Sequence, residues 1–135
     1  MLVFACIAPH GSMTIPLLAG KEGHQKALAT RKAMEELGQR MATAAPEAVV
    51  LVTPHGHRVD GVFSLLNNAR VRGELGPEKE DDSQNSLSLV FDVDKELNAA
   101  ILDASRSLDV PVTRISYAVP DDPQYFQPLD WGATV

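Results

Sequence analysis

The sequence lacks most of the features that would place it in a specialised class of protein. Its 135 residues contain a single cysteine, Cys6, so no disulfide can form within the chain, as is typical of proteins from a reducing compartment. No run of about 18 apolar residues is present, so we expect no membrane-spanning helix. The short apolar N-terminus has no Lys or Arg before it and no small-residue cleavage site. We therefore expect no signal peptide and a cytoplasmic protein.

Basic residues are scarce as well. Lys and Arg together number 12 against 18 Asp and Glu, and the formal net charge is −6. Proteins that bind nucleic acid neutralise its phosphates with clustered basic side chains, and no such cluster occurs here. Nucleic acid and membrane are therefore not expected partners. A chain of this length can bury one hydrophobic core, so we expect one domain over residues 1–135.

What the sequence does contain is two short apolar segments separated by a helical pattern. Residues 2–8 and 48–53 are almost entirely apolar, which predicts strands covered on both faces. Between them, apolar side chains recur every three or four residues and predict a helix with charged residues on its other side. The apolar stripe consists of Ala27, Thr30, Met34, Leu37, Met41 and Ala44. The charged side consists of Arg31, Lys32, Glu35, Glu36 and Arg40.

The second half of the chain continues the alternation of strands and helices. Strands are predicted at 61–66, 87–93 and 112–118, and residues 70–82 read as an exposed charged loop. Asp94 is expected to cap a helix with a buried stripe of Leu97, Ile101, Ala104 and Leu108. Residues 120–135 show no period. The whole pattern predicts an α/β fold, with a mostly parallel or mixed central sheet flanked by helices.

The two apolar segments end alike, in Pro-His-Gly at residues 9–11 and 54–56. In open α/β sheets, ligands bind beyond the carboxyl ends of the strands. Imidazoles that leave neighbouring strand ends can reach one metal ion. His10 and His55 are therefore candidate metal ligands. The alternative, that each histidine bonds a loop carbonyl at its strand end, stays open at this point.

Two histidines do not complete a metal site. Zinc takes three or four protein ligands, and non-haem iron(II) commonly takes two histidines and one carboxylate. Asp60, Glu22 and Asp92 are candidate third ligands by availability only. His57 could be a further ligand, an orienting group or a substrate contact, whereas His24 is expected to be an exposed polar residue. The catalytic residues themselves are not assigned by the sequence.

Four stretches together resemble a known family: IAPHG, TRKAMEELG, VVLVTPHGH and LDWGATV. They are similar to the catalytic-subunit (LigB-like) superfamily of class III extradiol ring-cleavage dioxygenases. The resemblance runs along the whole chain but covers about the N-terminal half of that family's domain, so we expect a LigB-like domain truncated at its C-terminal end. It implies that His10 and His55 bind iron(II). It places a glutamate ligand and a histidine acid/base in the other half.

One position departs from the family pattern. The family has Asp-His-Gly where this chain has Asp130, Trp131 and Gly132. The resemblance implies that Asp130 and Trp131 contact the substrate. An indole can stack on an aromatic ring but cannot exchange a proton, so Trp131 argues against the usual role of this position in catalysis.

The leading functional hypothesis is a non-haem iron(II)-dependent extradiol dioxygenase, or its N-terminal portion, that opens catechol-type aromatic rings with O2. The alternatives are a non-catalytic, Memo-like binding module on the same fold and a zinc-dependent hydrolase. The expected partners are a small aromatic substrate and either a second copy of the chain or a different chain that completes the domain.

Overall fold

The computed structural model describes residues 1–15, 25–76 and 86–135. A 3₁₀ turn at Ser12–Thr14 precedes the regular elements. In chain order these are α1 (Leu28–Ala44), β1 (Phe63–Leu66), β2 (Arg70–Leu75), β3 (Leu87–Asp92), α2 (Lys95–Ser107), β4 (Val112–Ile115), β5 (Phe126–Pro128) and α3 (Trp131–Thr134). This order of helices and mixed sheets confirms the predicted α/β class. No helix in the described ranges is both long and apolar enough to cross a membrane.

The chain divides into two compact units. The first contains Met1–Thr53, and the second consists of Pro54–Glu74 and Ser88–Thr134. The second unit holds two small sheets. In one, β1 pairs in parallel with β4, from Phe63 opposite Val112 to Leu66 opposite Ile115. In the other the order is β3-β2-β5, and β2 pairs in parallel with β5.

The strands predicted at 2–8 and 48–53 do not form. Neither segment has strand structure, and most of its large apolar side chains are exposed, among them Leu2, Ile7, Val50 and Val52. Cys6 is exposed as well. A strand forms only where a neighbouring backbone accepts and donates its hydrogen bonds. Apolar sequence alone therefore predicted strands where the described residues supply no pairing partner.

Helix α1 matches its prediction closely. It ends at Ala44, and Ala45 follows in the left-handed region at φ 45°, where its N–H bonds the carbonyls of Met41 and Ala42. Ala27 is buried just before the first residue, and Thr30, Met34 and Leu37 are half-buried on the predicted face. Two residues depart from the prediction: Arg31 was expected on the exposed side and is buried, and Met41 was expected on the buried stripe and is exposed.

The segment predicted as a loop at 70–82 begins with a strand. Strand β2 occupies Arg70–Leu75, and its Val71 is buried. Residues 77–82 lie outside the described residues. The sequence RVRGEL was read as a loop because three of its six residues are charged. Arg70, Arg72 and Glu74 alternate with Val71 and Gly73, so the charged side chains fall on one face of the strand.

Helix α2 begins as predicted at its cap. The Asp94 carboxylate accepts a hydrogen bond from the Leu97 N–H at 2.8 Å. Leu97 and Ile101 are half-buried, but Ser105 is the buried residue at the next turn, and Ala104 and Leu108 are exposed. The buried stripe therefore turns slightly away from the predicted one, and Asn98 on the same side donates to the Leu66 carbonyl at 2.8 Å.

Two buried amides connect the elements of the second unit. Asn68 is fully buried, donates to the carbonyls of Tyr117 at 2.7 Å and Tyr125 at 3.3 Å, and accepts from the Tyr117 N–H at 2.8 Å. Gln127 accepts from the N–H groups of Asn67 at 3.0 Å and Asn68 at 3.3 Å, and donates to the Ile115 carbonyl at 3.2 Å. Each amide bonds backbone groups of more than one segment, although the Asn67 N–H and the Ile115 carbonyl also bond each other at 2.9 Å.

Candidate functional site

His55 lies in a tight turn that brings it against the C-terminal segment. The side chain is half-buried, and Gly56 after it has a positive φ of 90°, which an L side chain rarely adopts. A Cβ placed at Gly56 would lie 3.2 Å from Asp130 Oδ2 and 3.3 Å from Asp130 Cβ. The glycine therefore allows both the turn and the close approach of Asp130.

Trp131 packs on His55. The ring centroids are 4.5 Å apart and the planes are inclined by 34°. The Trp131 side chain is 48% exposed, so the indole covers the imidazole from one side while meeting solvent on the other. The two residues that the sequence assigned to ligand binding and substrate contact are therefore neighbours.

Asp130 holds Trp131 in place by starting helix α3. Its Oδ1 accepts a hydrogen bond from the Ala133 N–H at 3.0 Å, the usual arrangement of an N-cap. Its carbonyl accepts from the Thr134 hydroxyl at 2.8 Å. The Asp130 carboxylate is therefore occupied in part by its own helix, and it lies beside the backbone of Gly56 as well.

Strand β2 fixes the far end of α3. Thr134 is buried, and a Cβ built on Gly73 would lie only 2.3 Å from Thr134 Oγ1 and 2.6 Å from its Cγ2. Only glycine fits at position 73 beside this threonine. The contact determines how close α3 comes to the sheet, and with it the position of Trp131.

His10 belongs to the other unit of the chain. It is half-buried and directly precedes Gly11, whose carbonyl accepts from the Thr14 N–H at 2.8 Å in the 3₁₀ turn. Unlike Gly56, Gly11 has no heavy atom of the described residues within 4 Å of its Cβ position. The two Pro-His-Gly motifs therefore adopt different local structures, and a metal shared by His10 and His55 stays a prediction.

The remaining candidates for a ligand or substrate contact lie in varied surroundings. His57 is exposed. Asp60 pairs with Arg58 at 2.9 Å and Asp92 pairs with Arg70 at 2.9 Å, all on exposed carboxylates. Glu22 and His24 lie outside the described residues. Within the ranges that the structure describes, no three His, Cys, Asp or Glu side chains form a group that could hold a metal ion.

Sequence reasoning missed two residues that shape this site, Gly73 and Thr134. Gly73 fell in a segment read as a loop, and Thr134 in a tail without periodicity. A glycine inside an alternating pattern is the signal that could have been used, because it often marks a close approach in a strand.

Comparison with known proteins identifies the family of this chain. Residues 4–135 match the family described as the catalytic LigB subunit of aromatic ring-opening dioxygenase. The chain belongs to this family. The chain therefore has the fold of an aromatic ring-opening dioxygenase subunit, in a family whose enzymes are typically metal-dependent.

A curated relative gives less information. The chain is 24% identical over 105 residues to Protein CA_C1420 of Clostridium acetobutylicum, a match that covers 78% of this chain and 21% of the relative. The chain thus spans about a fifth of the length of the curated relative that it matches. No solved structure matches the chain significantly.

Proposed function

We propose that this chain is part of an iron(II)-dependent extradiol dioxygenase that opens catechol-type rings with O2. The family match over residues 4–135 carries the proposal. The packing of His55 against Trp131, with Asp130 beside Gly56, supports it, because it gathers an imidazole, a carboxylate and an aromatic surface at one place. Such a set can bind an aromatic ring and orient it.

The donors present suit part of an iron site. His10 and His55 offer imidazole nitrogens, which iron(II) accepts as two of the three protein ligands of a facial site. A third ligand is not supplied by a cluster of the described residues. When bound, iron(II) would supply the means of passing electrons between an aromatic diol and oxygen. We propose that the third ligand and the base come from residues beyond those described or from a partner chain.

Trp131 and Asp130 have different roles beside His55. Trp131 limits the rotation of the imidazole and presents an aromatic face on which a substrate ring can stack. Asp130 keeps Trp131 there through the N-cap of α3, and its second oxygen remains beside the Gly56 backbone. Proton transfer at this position is not available from an indole.

The test is elemental analysis of protein purified without oxygen, followed by oxygen uptake with catechol. We expect an equimolar amount of iron, and loss of that iron in both His10→Ala and His55→Ala. His24→Ala is the matched control, because the sequence gives that histidine no ligand role. Full iron content in both ligand variants would overturn the assignment of the two histidines.

Trp131→His tests the departure from the family pattern. This change restores the Asp-His-Gly form and places an imidazole, which can exchange a proton, beside His55. We expect oxygen uptake with catechol to rise relative to the parent chain at equal iron content. Trp131→Phe, which keeps an aromatic face without a proton, should leave uptake unchanged.

A second candidate function follows from Trp131 itself. A non-catalytic, Memo-like module needs no acid/base at this position, and the half-exposed indole on His55 offers a surface for recognition instead. Protein free of metal, with no oxygen uptake in the parent or in Trp131→His, would favour this candidate. Zinc in place of iron, with hydrolysis of an ester probe, would favour a zinc-dependent hydrolase.

A further inference from the structure

Two arginines on one strand differ in the hydrogen bonds that their guanidinium groups make. Arg70 and Arg72 are two residues apart on β2, so they share a face, and their side chains are 42% and 41% exposed. Arg70 Nε bonds Asp92 Oδ1 at 2.9 Å. Arg72 Nε is buried and has no hydrogen-bond partner among the described residues. Its Nη1 lies 3.6 Å from Glu74 Oε1, beyond hydrogen-bond distance.

A buried donor without an acceptor is unfavourable and needs an explanation. Folding removes such a group from water without replacing the hydrogen bond, so these groups are rare in native proteins. Nε itself is out of reach of a ligand, but the side chain is 41% exposed and borders a groove, so a ligand can bring an acceptor to the Nη atoms of the same guanidinium. A cation–π contact orients the guanidinium, since its carbon lies 3.9 Å from the centroid of the Phe126 ring.

Arg72 lines a groove with aromatic walls. The groove has a volume of about 420 Å³ and is lined by the aromatic residues Tyr117, Tyr125 and Phe126, together with Glu74 and Pro128. This volume falls within the range of about 300–1,000 Å³ for sites that bind small molecules. The groove therefore combines a cation with several aromatic surfaces, which is the composition that recognises a ring bearing a negative charge.

The groove is built on a fixed backbone. The fully buried Asn68 bonds both the N–H and the carbonyl of Tyr117 and also reaches the Tyr125 carbonyl. The backbone of both tyrosines is thereby tied to one buried amide. A site with ordered walls loses less conformational entropy on binding than one that must order itself.

The groove lies on the opposite face of β2 from the contact that positions Trp131. In the register of the sheet, Arg72 is opposite Pro128 and Arg70 is opposite Phe126. Side chains alternate along a strand, so Val71, Gly73 and Gln127 point to the other face. Gly73 is the residue that contacts Thr134 of α3. The groove is therefore separate from the cluster of His55, Asp130 and Trp131.

We propose that this groove binds a small aromatic carboxylate. The carboxylate accepts hydrogen bonds from the Arg72 guanidinium, whose fork matches two carboxylate oxygens. The ring packs against the tyrosine and phenylalanine side chains. Glu74 opposes the ligand, because its carboxylate competes for the same guanidinium at 3.6 Å. The proposal requires no metal and does not depend on the proposed dioxygenase activity.

The experiment uses benzoate as the probe and the full chain without added metal. Binding is followed by amide chemical shifts of β2 and β5 in a titration. We expect saturable binding of benzoate. Benzamide, which keeps the ring without the charge, and acetate, which keeps the charge without the ring, should each bind at least about tenfold more weakly. Equal binding of benzamide, or of acetate, would overturn the proposed ligand class.

Three variants test the assignment to Arg72. Arg72→Gln should weaken benzoate binding at least about tenfold, because it removes a charge-assisted hydrogen bond. The matched control, Arg70→Gln on the same strand and face, should change it less than about twofold. Glu74→Gln should tighten binding a few-fold by removing the competing carboxylate. Unchanged binding in Arg72→Gln would overturn the proposal.

A further variant keeps the assignment testable if Arg72→Gln does not fold. Arg72→Lys keeps the charge and the apolar stem but loses the planar fork, so it should fold and still bind benzoate more weakly than the parent chain. Circular dichroism checks that each variant retains its secondary structure. Parent-like affinity in folded Arg72→Lys, together with no tightening in Glu74→Gln, would also overturn the assignment.

Discussion

The most apolar segments of this chain and its most polar buried residues have opposite roles in the structure. Residues 2–8 and 48–53 are nearly all apolar, yet they form no strand and most of their large side chains are exposed. Asn68 and Gln127 are polar, yet both are fully buried and connect the strands of the second unit. Burial in this chain therefore follows the availability of backbone partners more closely than it follows hydropathy.

The largest loss of stability is expected on removal of the amide of Asn68. In Asn68→Ala the N–H and carbonyl of Tyr117 and the carbonyl of Tyr125 lose their partner inside the fold. Each buried group left unsatisfied costs about 1–3 kcal/mol, so we expect the free energy of unfolding to fall by about 3 kcal/mol or more. Urea unfolding followed by circular dichroism measures it.

Asn67 provides the control for that variant. It is the same residue type one position earlier, and within the described residues its side-chain amide makes one long contact, 3.5 Å to the Ser116 hydroxyl. We expect Asn67→Ala to cost less than about 1 kcal/mol. Equal losses of unfolding free energy in the two variants would show that this region is sensitive to any substitution. The hydrogen bonds of the buried Asn68 amide would then not account for the loss.

Gly73→Ala tests the packing between β2 and α3 at the candidate site. The new methyl group would overlap Thr134, since the Cβ position lies 2.3 Å from its Oγ1 and 2.9 Å from its Cβ. Overpacking of this kind costs about 1–3 kcal/mol, and α3 must move away from β2. Because Trp131 is the only tryptophan, its fluorescence should report the altered contact with His55.

The control for Gly73→Ala is Gly76→Ala, two residues beyond Glu74. Among the residues that the structure describes, none places a heavy atom within 4 Å of the Cβ position of Gly76. We expect the fluorescence and the unfolding midpoint of this variant to match the parent chain. A parent-like spectrum in Gly73→Ala itself would contradict the claim that this glycine sets the position of α3.

A smaller effect is expected at the cap of α2. Asp94→Ala removes the acceptor for the Leu97 N–H and should lower the free energy of unfolding by about 1 kcal/mol. Asp103→Ala is the control, because that exposed carboxylate makes only a surface pair with Arg106 at 2.8 Å and should contribute a few tenths of a kcal/mol at most. Thermal unfolding of both variants would separate a cap from a surface ion pair. Losses of similar size would refute the cap.

Local signals were sufficient for the parts of the fold that depend on neighbours in sequence. Helix α1, the Asp94 cap and strand β3 were predicted because side-chain spacing and capping residues act within a few positions. The pairing of β2 with β5 was not predicted, since Arg70, Arg72 and Glu74 gave a charged pattern and the partner Phe126 lies far along the chain. Sequence also did not show that Asn68 would be buried, because a buried amide carries no periodic signal.

The same limits applied to the prediction of the candidate site. His55 and Gly56 stood out because Pro-His-Gly is a local motif, and the resemblance pointed to Asp130 and Trp131. That these residues are in contact could not be read from either observation. The contact depends on Gly73 admitting Thr134, a tertiary fit between residues about sixty positions apart that neither local pattern encodes.

The smallest expected effect is at the exposed apolar segment itself. Val52 is 77% exposed and Val71 is 6% exposed. Val71→Ala should therefore cost about 2 kcal/mol, whereas Val52→Ala should change the free energy of unfolding by less than about 0.5 kcal/mol in dilute solution.

If a second copy of the chain covers residues 48–53, the loss in Val52→Ala will grow with protein concentration, because association stabilises only the folded state. Sedimentation velocity of both variants alongside the unfolding measurement separates the two cases. A concentration-independent loss of about 2 kcal/mol in Val52→Ala would show that this valine is buried within the single chain, and the contrast between apolar sequence and burial would then fail at its clearest example.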